Sequence, residues 1–147
     1  MNRRSMLAAS AALVLASRFA GATEATKATL DLIKDPNCGC CGDHAQYLRD
    51  HGYIVNVTES AELEKLRAEL GVPANLVGCH LIRAEGYVIE GHVFAGAIDK
   101  LLAERPAIRG ISMPGMPLGS PGMGGEKTGP LVVLTISEGA PQVYFTE

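Results

Sequence analysis

Ala28-Thr29-Leu30-Asp31-Leu32-Ile33 alternates apolar and polar positions well enough to predict a strand, and Asp35-Pro36-Asn37 breaks it. A helix is then predicted from the neighbourhood of Cys38–Cys41 to Asp50 or His51, with Gly52 as its stop and Ala45 and Leu48 facing the core. Tyr53 to Val57 supplies the β-branched bulk of a second strand. Ser60 is a plausible N-cap for the next helix, along which Leu63, Leu66 and Leu70 form one apolar stripe before Gly71. Val72 to Asn75 reads as a loop. Cys79–Arg83 and Tyr87–Val93 pattern as a hairpin around Glu85-Gly86. Ala97, Ile98, Leu101 and Leu102 mark a third helix, closed by Pro106. Residues 110–130 change character to a Met/Pro/Gly-rich loop, after which Leu131–Ile136 and Gln142–Phe145 predict a terminal pair of strands at the sheet edge.

The predicted order is β-α-β-α-β-β-α with an added C-terminal strand pair. A strand, a helix opening with cysteines, a second strand and helix, then a hairpin and a helix resemble the thioredoxin fold, an α/β class. The chain shows no internal repeat, and its 147 residues suit one domain.

The first 22 residues read as an export signal. Arg3 and Arg4 precede an apolar stretch from Met6 to Ala16, and Ala20-Gly21-Ala22 fits a small-residue cleavage site. The expected mature domain is therefore 23–147, of an exported protein. Loss of Arg3, Arg4 and Arg18 with the signal takes the net charge from −3 to −6. An acidic surface disfavours nucleic acid and anionic membranes as partners and is compatible with attracting cations.

Three of the four cysteines occur as Cys38-Gly39-Cys40-Cys41, and the fourth is Cys79, beside His80. At a helix start, unpaired N–H groups and the positive end of the dipole stabilise thiolate, the form that binds metal and attacks disulfides. A thiol–disulfide oxidoreductase needs two thiols here, Cys38 attacking and Cys41 resolving; Cys40 adds a third that invites scrambling. A metal site gains from it. Thiolates favour Cu(I), zinc or iron–sulfur clusters. Zinc usually takes two separated ligand pairs, and iron–sulfur ligation prefers wider spacing. Cu(I), which tolerates low coordination and bridging thiolates, suits the crowding best. Two ordinary structural disulfides fit poorly, because pairing within 38–41 closes very small rings.

Among the histidines, His44 lies three residues after Cys41 on the same helix face, as a supplementary ligand or a solvated side chain. His80 is expected to point away from Cys79 along a strand, as a packing or surface residue. His51 suits the negative end of its helix, and His92 has no evident partner. Met113, Met116 and Met123 all fall in one loop, with Met113 and Met116 in a Met-x-x-Met arrangement. Thioether sulfur is a neutral soft ligand for Cu(I), against the alternative of loop packing.

Asn37-Cys38-Gly39-Cys40-Cys41-Gly42, Gly78-Cys79-His80, Gly86 to Val93 and Gly115 to Met123 together resemble the small CopG-type proteins of bacterial copper-resistance systems, across residues 28–146. The resemblance implies a thioredoxin-like fold and a copper site built from Cys38, Cys40, Cys41 and Cys79, able to hold a multinuclear Cu(I) cluster with redox activity. Where many relatives carry an aromatic after the Cys-Cys pair, this chain has Gly42-Asp43-His44-Ala45.

The sequence thus reads as an exported protein that binds Cu(I) through the four cysteines, for copper resistance or transfer, with Met113 and Met116 as a weaker loading or exchange site. Copper is the expected ligand, and another periplasmic copper protein is a candidate partner. The rival reading is an enzyme, a thiol–disulfide or copper-dependent oxidoreductase using the Cys38–Cys41 pair.

Overall fold

Along β1 (Thr29–Lys34), Leu30 and Leu32 enter one core while Ile33 enters another on the opposite face of the sheet. This period-2 division, repeated by Ile82 against Leu81 and by Ile89 against Val88, makes a sheet buried on both faces. The computed structural model describes residues 26–147, so the leader expected over 1–22 lies outside the described residues.

The chain runs β1, α1 (Cys40–Asp50), β2 (Ile54–Glu59), α2 (Leu63–Glu69), β3 (Leu81–Ala84), β4 (Tyr87–Glu90), α3 (Ala95–Glu104), β5 (Gly110–Ser112), β6 (Val132–Ile136) and β7 (Val143–Thr146). All seven strands form one sheet in the order β2-β1-β3-β4-β5-β6-β7. β1 and β2 are parallel across the α1 crossover, and β3 and β4 form an antiparallel hairpin. That four-strand core is the arrangement the thioredoxin resemblance implied. The hairpin turn uses Glu85 (φ 46°) and Gly86 (φ 90°), two consecutive left-handed residues, as a twisted two-residue turn requires.

Helices α1 and α3 cover one face, where Ala45, Leu48, Ala97, Ile98 and Leu101 meet Leu30, Leu32, Ile82 and Ile89. On the other face, Leu63 of α2 meets Ile33, Leu76, Leu81 and Val88, with Leu66 and Leu70 packed against them. Complete burial of a leucine or isoleucine side chain stabilises the fold by roughly 1.5–3 kcal/mol.

Two elements differ from the sequence expectation. Helix α2 begins at Leu63 with Glu62 in the cap position; the Ser60 hydroxyl accepts the Glu62 N–H in a turn one step earlier. Residues 110–112, expected to open the Met/Pro/Gly loop, form β5, parallel to β4. Three buried residues are too few to display an alternation, so this strand is defined by its neighbours. It joins the predicted C-terminal pair to the core sheet: β6 lies beside β5, and β7 is the edge.

Candidate metal centre

The first three cysteines are placed by a turn that β1 runs into. The Asp35 carboxylate accepts the N–H and the side-chain amide of Asn37 (2.8 and 3.1 Å), and the Asp35 carbonyl accepts the Cys38 N–H (3.0 Å). The chain then enters α1 at Cys40, so Cys38, Cys40 and Cys41 occupy the helix mouth, with Cys41 fully buried.

Cys79 arrives from the other side of the cleft, on the segment leading into β3. Its neighbour Gly78 is clamped by a buried ion pair. Glu90 Oε2 accepts the Gly78 N–H (2.9 Å), and Arg67 Nη2 donates to the Gly78 carbonyl (2.9 Å), while Arg67 Nε and Glu90 Oε1 meet at 2.9 Å. Gly78 also lies so close to Gly91 that a Cβ would sit 2.4 Å from the Gly91 Cα. Only glycine allows that approach.

The result is a convergence of sulfurs. Cys79 Sγ stands 3.1 Å from Cys38 Sγ, 3.2 Å from Cys40 Sγ and 3.5 Å from Cys41 Sγ, and Cys38 and Cys40 Sγ are 3.8 Å apart. Thiolates around one tetrahedral ion at about 2.3 Å stand roughly 3.8 Å apart, so the Cys38–Cys40 separation matches a ligand set and the Cys79 sulfur lies closer to its neighbours than in one. Burial, with Cys40 beside it adding to the effect, pushes the Cys79 thiol up to about 12.

Cys38 and Cys41 are joined as a disulfide, leaving Cys40 and Cys79 as thiols. This overturns the expectation that a small ring disfavours pairing within 38–41, while the other two cysteines stay unpaired with each other. Entry into the helix brings the two Cα atoms to 5.7 Å, inside the usual disulfide range of about 4.4–6.8 Å, so the small ring closes.

An open cleft of about 530 Å³ exposes Cys38, Cys40 and Cys79, rimmed by Asp35, Asn37 and Met116. Met116 is 59% exposed at this rim, whereas Met113 is 1% exposed and packed in the core beneath α1 and α3. The two methionines of the Met-x-x-Met run are therefore separated: one lines the cleft, and the other does not.

Under the cysteines lies a group that sequence reasoning left unassembled. His44, His80 and His92 are all fully buried, with ring centroids 4.8–4.9 Å apart. The sequence reads His44 as a supplementary ligand or a solvated side chain and His80 as packing or surface. His44 instead lies under the helix, and His80, two residues before Ile82, turns toward the same face of the sheet. His92 has its partner in the Pro/Gly loop, donating from Nδ1 to the Pro121 carbonyl (2.6 Å). Burial lowers the basicity of all three: His44 falls to about 3, His80 well below the usual imidazole range, and His92 below it. The signal in the sequence was the position of two histidines, His44 one helical step after Cys41 and His80 adjacent to Cys79. His51, the fourth, caps the end of α1 on the surface, bonded to the Tyr47 carbonyl (2.7 Å).

Two solved structures, titled "Copper resistance protein copG- Form 1" and "Copper resistance protein copG- Form 2", match this chain at 35% sequence identity and a TM-score of 0.76. Each match covers 82% of this chain, and 97% and 98% of the respective solved chain. The chain belongs to the CopG family. In this CopG-family protein, residues 76–123 also match a family model described as "Protein of unknown function, DUF411". That stretch carries Cys79, His80, His92 and the loop to Met123, while the three helix-mouth cysteines precede it. Among curated proteins, none matches. No helix among the described residues is long and apolar enough to cross a membrane.

Proposed function

We propose that this CopG-family chain is an exported, periplasmic protein that holds Cu(I) through Cys38, Cys40, Cys41 and Cys79, for copper resistance or transfer. The observation that carries this reading is the approach of all four sulfurs within 4.8 Å of one another from two stretches of chain. Soft thiolates crowded to this degree suit an ion that accepts low coordination and bridging sulfur, which favours Cu(I) and permits more than one ion. The N-terminal pattern at 1–22 supports export, and the copper-resistance titles of the similar structures support the metal. Loading all four ligands first requires reduction of the Cys38–Cys41 bond, by two electrons and two protons from an external dithiol. Met116, exposed at the rim, is the thioether placed to meet arriving copper; Met113 serves the core.

Anaerobic Cu(I) titration of the reduced protein tests this. Wild type is expected to retain copper against a competing chelator, and Cys79→Ser and Cys40→Ser to lose most of it. Undiminished copper binding by both variants overturns the four-thiol site.

The disulfide favours a second reading, a thiol–disulfide oxidoreductase, because the bonded pair is Cys38 and Cys41 at the mouth of α1, the attacking and resolving thiols that such an enzyme would use. Insulin-reduction turnover that survives loss of Cys40 and Cys79 would select a Cys38–Cys41 enzyme over a copper carrier.

A further inference from the structure

The four sulfurs divide unequally. Cys38 and Cys41 are bonded to each other, which leaves Cys40 and Cys79 as thiols. Their Sγ atoms face each other at 3.2 Å, between the first residue of α1 and the approach to β3. Two sulfurs sharing one ion stand roughly 3.8 Å apart, and two bonded sulfurs about 2.05 Å. The pair lies between those separations, so bonding asks for about an ångström of movement.

Both partners are fixed by their surroundings. Cys40 opens α1, and Cys79 follows Gly78, whose N–H and carbonyl are held by Glu90 and Arg67. Groups held face to face in this way react readily, because little freedom is left to lose. Both sulfurs are half-buried on the wall of the open cleft, where a reagent from solution meets them. Cys79 has one other sulfur group in reach, the Cys38–Cys41 bond. It stands beside that bond, 3.1 Å from one sulfur and 3.5 Å from the other. A thiolate displaces sulfur by approaching along the bond it breaks, so this side-on position does not serve exchange. Cys40 is therefore the partner that the geometry offers Cys79.

We propose that Cys40 and Cys79 form a second disulfide, which staples the mouth of α1 to the segment leading into β3. The oxidant is a disulfide carried by another molecule. The Cys40 thiolate attacks one sulfur of that disulfide, forms a mixed disulfide and releases a first thiolate. The Cys79 sulfur then attacks the Cys40 sulfur, forms the internal bond and releases a second. Two electrons and two protons pass from Cys40 and Cys79 to the oxidant, which departs as two thiols. The staple joins residues 39 positions apart, against 3 for Cys38 and Cys41, and so restrains the unfolded chain more strongly. The doubly bonded chain has no thiolate left for a soft ion. That redox block on loading rests on the function proposed above; the staple itself does not.

The test equilibrates the metal-free full chain with oxidised glutathione in the presence of a chelator, then caps free thiols with N-ethylmaleimide for intact-mass measurement. Untreated chain is expected to carry two adducts, and treated chain none, with no glutathione retained. Trypsin should then release residues 35–49 linked to residues 68–83. Two surviving adducts, retained glutathione, a link between chains, or fragmentation that places the link at Cys38 or Cys41 each overturn the staple. A Cys38→Ser/Cys41→Ser variant, whose only thiols are Cys40 and Cys79, should lose both adducts under the same treatment and unfold at higher urea once oxidised. Stapled wild type is expected to bind no Cu(I) until dithiothreitol is added. Copper binding by the reduced chain without any staple would sink this inference alone. A staple that forms in a chain unable to bind copper when reduced would sink the proposed function alone.

Discussion

Arg67 and Glu90, on α2 and β4, form a buried ion pair whose spare hydrogen-bonding capacity goes to both peptide groups flanking the Gly78 Cα: the N–H to the carboxylate and the C=O to the guanidinium. The position of Cys79 is thereby tied to two side chains that never touch a sulfur. Removing one partner of a buried pair leaves the other charge uncompensated and typically costs about 3–5 kcal/mol. Arg67→Met is expected to destabilise the fold on that scale in denaturant unfolding and to weaken Cys79-dependent copper binding. Arg67→Met/Glu90→Gln is expected to recover part of the stability without recovering the copper affinity. Equal recovery of both would mean that the pair stabilises the fold without positioning Cys79.

The approach of Gly78 to Gly91 predicts a sharp size limit. In Gly78→Ala the added methyl meets the Gly91 Cα at 2.4 Å and its N at 2.5 Å, and neither atom can swing aside as a side chain would. Overpacking of this kind costs roughly 1–3 kcal/mol. Thermal unfolding should show the loss, and thiol labelling of the reduced protein should show Cys79 more accessible than in wild type.

The two methionines of the Met-x-x-Met run should separate cleanly. Met113→Ala removes a fully buried side chain and is expected to cost about 2–5 kcal/mol. Met116→Ala, at an exposed position, should stay within about 0.5 kcal/mol of wild type. Stopped-flow mixing with a Cu(I) donor should instead find slower loading in Met116→Ala with unchanged equilibrium affinity. An unchanged loading rate would remove Met116 from the copper path.

Acid stability should depend on Asp99. Partial burial raises its carboxyl, but hydrogen bonds from Lys27 and the Tyr53 hydroxyl outweigh this and hold it below the usual carboxylate range. With the folded value depressed, the contribution is complete above the unfolded aspartate pKa of about 3.9 and is lost as pH falls toward the lower folded value. Asp99→Asn should therefore be less stable than wild type near neutrality, with the gap closing in acid. The side chain is half exposed, so the gap should be at most about 1 kcal/mol. A gap that widens on acidification would reverse the sign of this coupling.

Much of this architecture is written in local pattern. The alternation in β1, the Glu85-Gly86 turn, the Leu63-Leu66-Leu70 stripe and the helix starting at the cysteines each depend on residues a few positions apart. So does the crowding of Cys38, Cys40 and Cys41, which by itself pointed to soft-metal or disulfide chemistry. Strand β5 left no such trace, because a three-residue strand exists only where β4 and β6 offer it partners.

The fate of individual polar and sulfur side chains was settled at longer range. His44, His80 and His92 come from a helix, the approach to β3 and the turn after β4, and nothing in their spacing says that they meet. Met113 and Met116 are three residues apart, yet one enters the core and the other the cleft rim, because β5 ends between the core and the loop. Chain neighbours alone dictated the elements other than β5 and the kind of chemistry available. Burial and the direction of each lone pair depend on atoms supplied by distant segments, such as the carbonyls of Val93 and Pro121, and those meet only after the chain has folded.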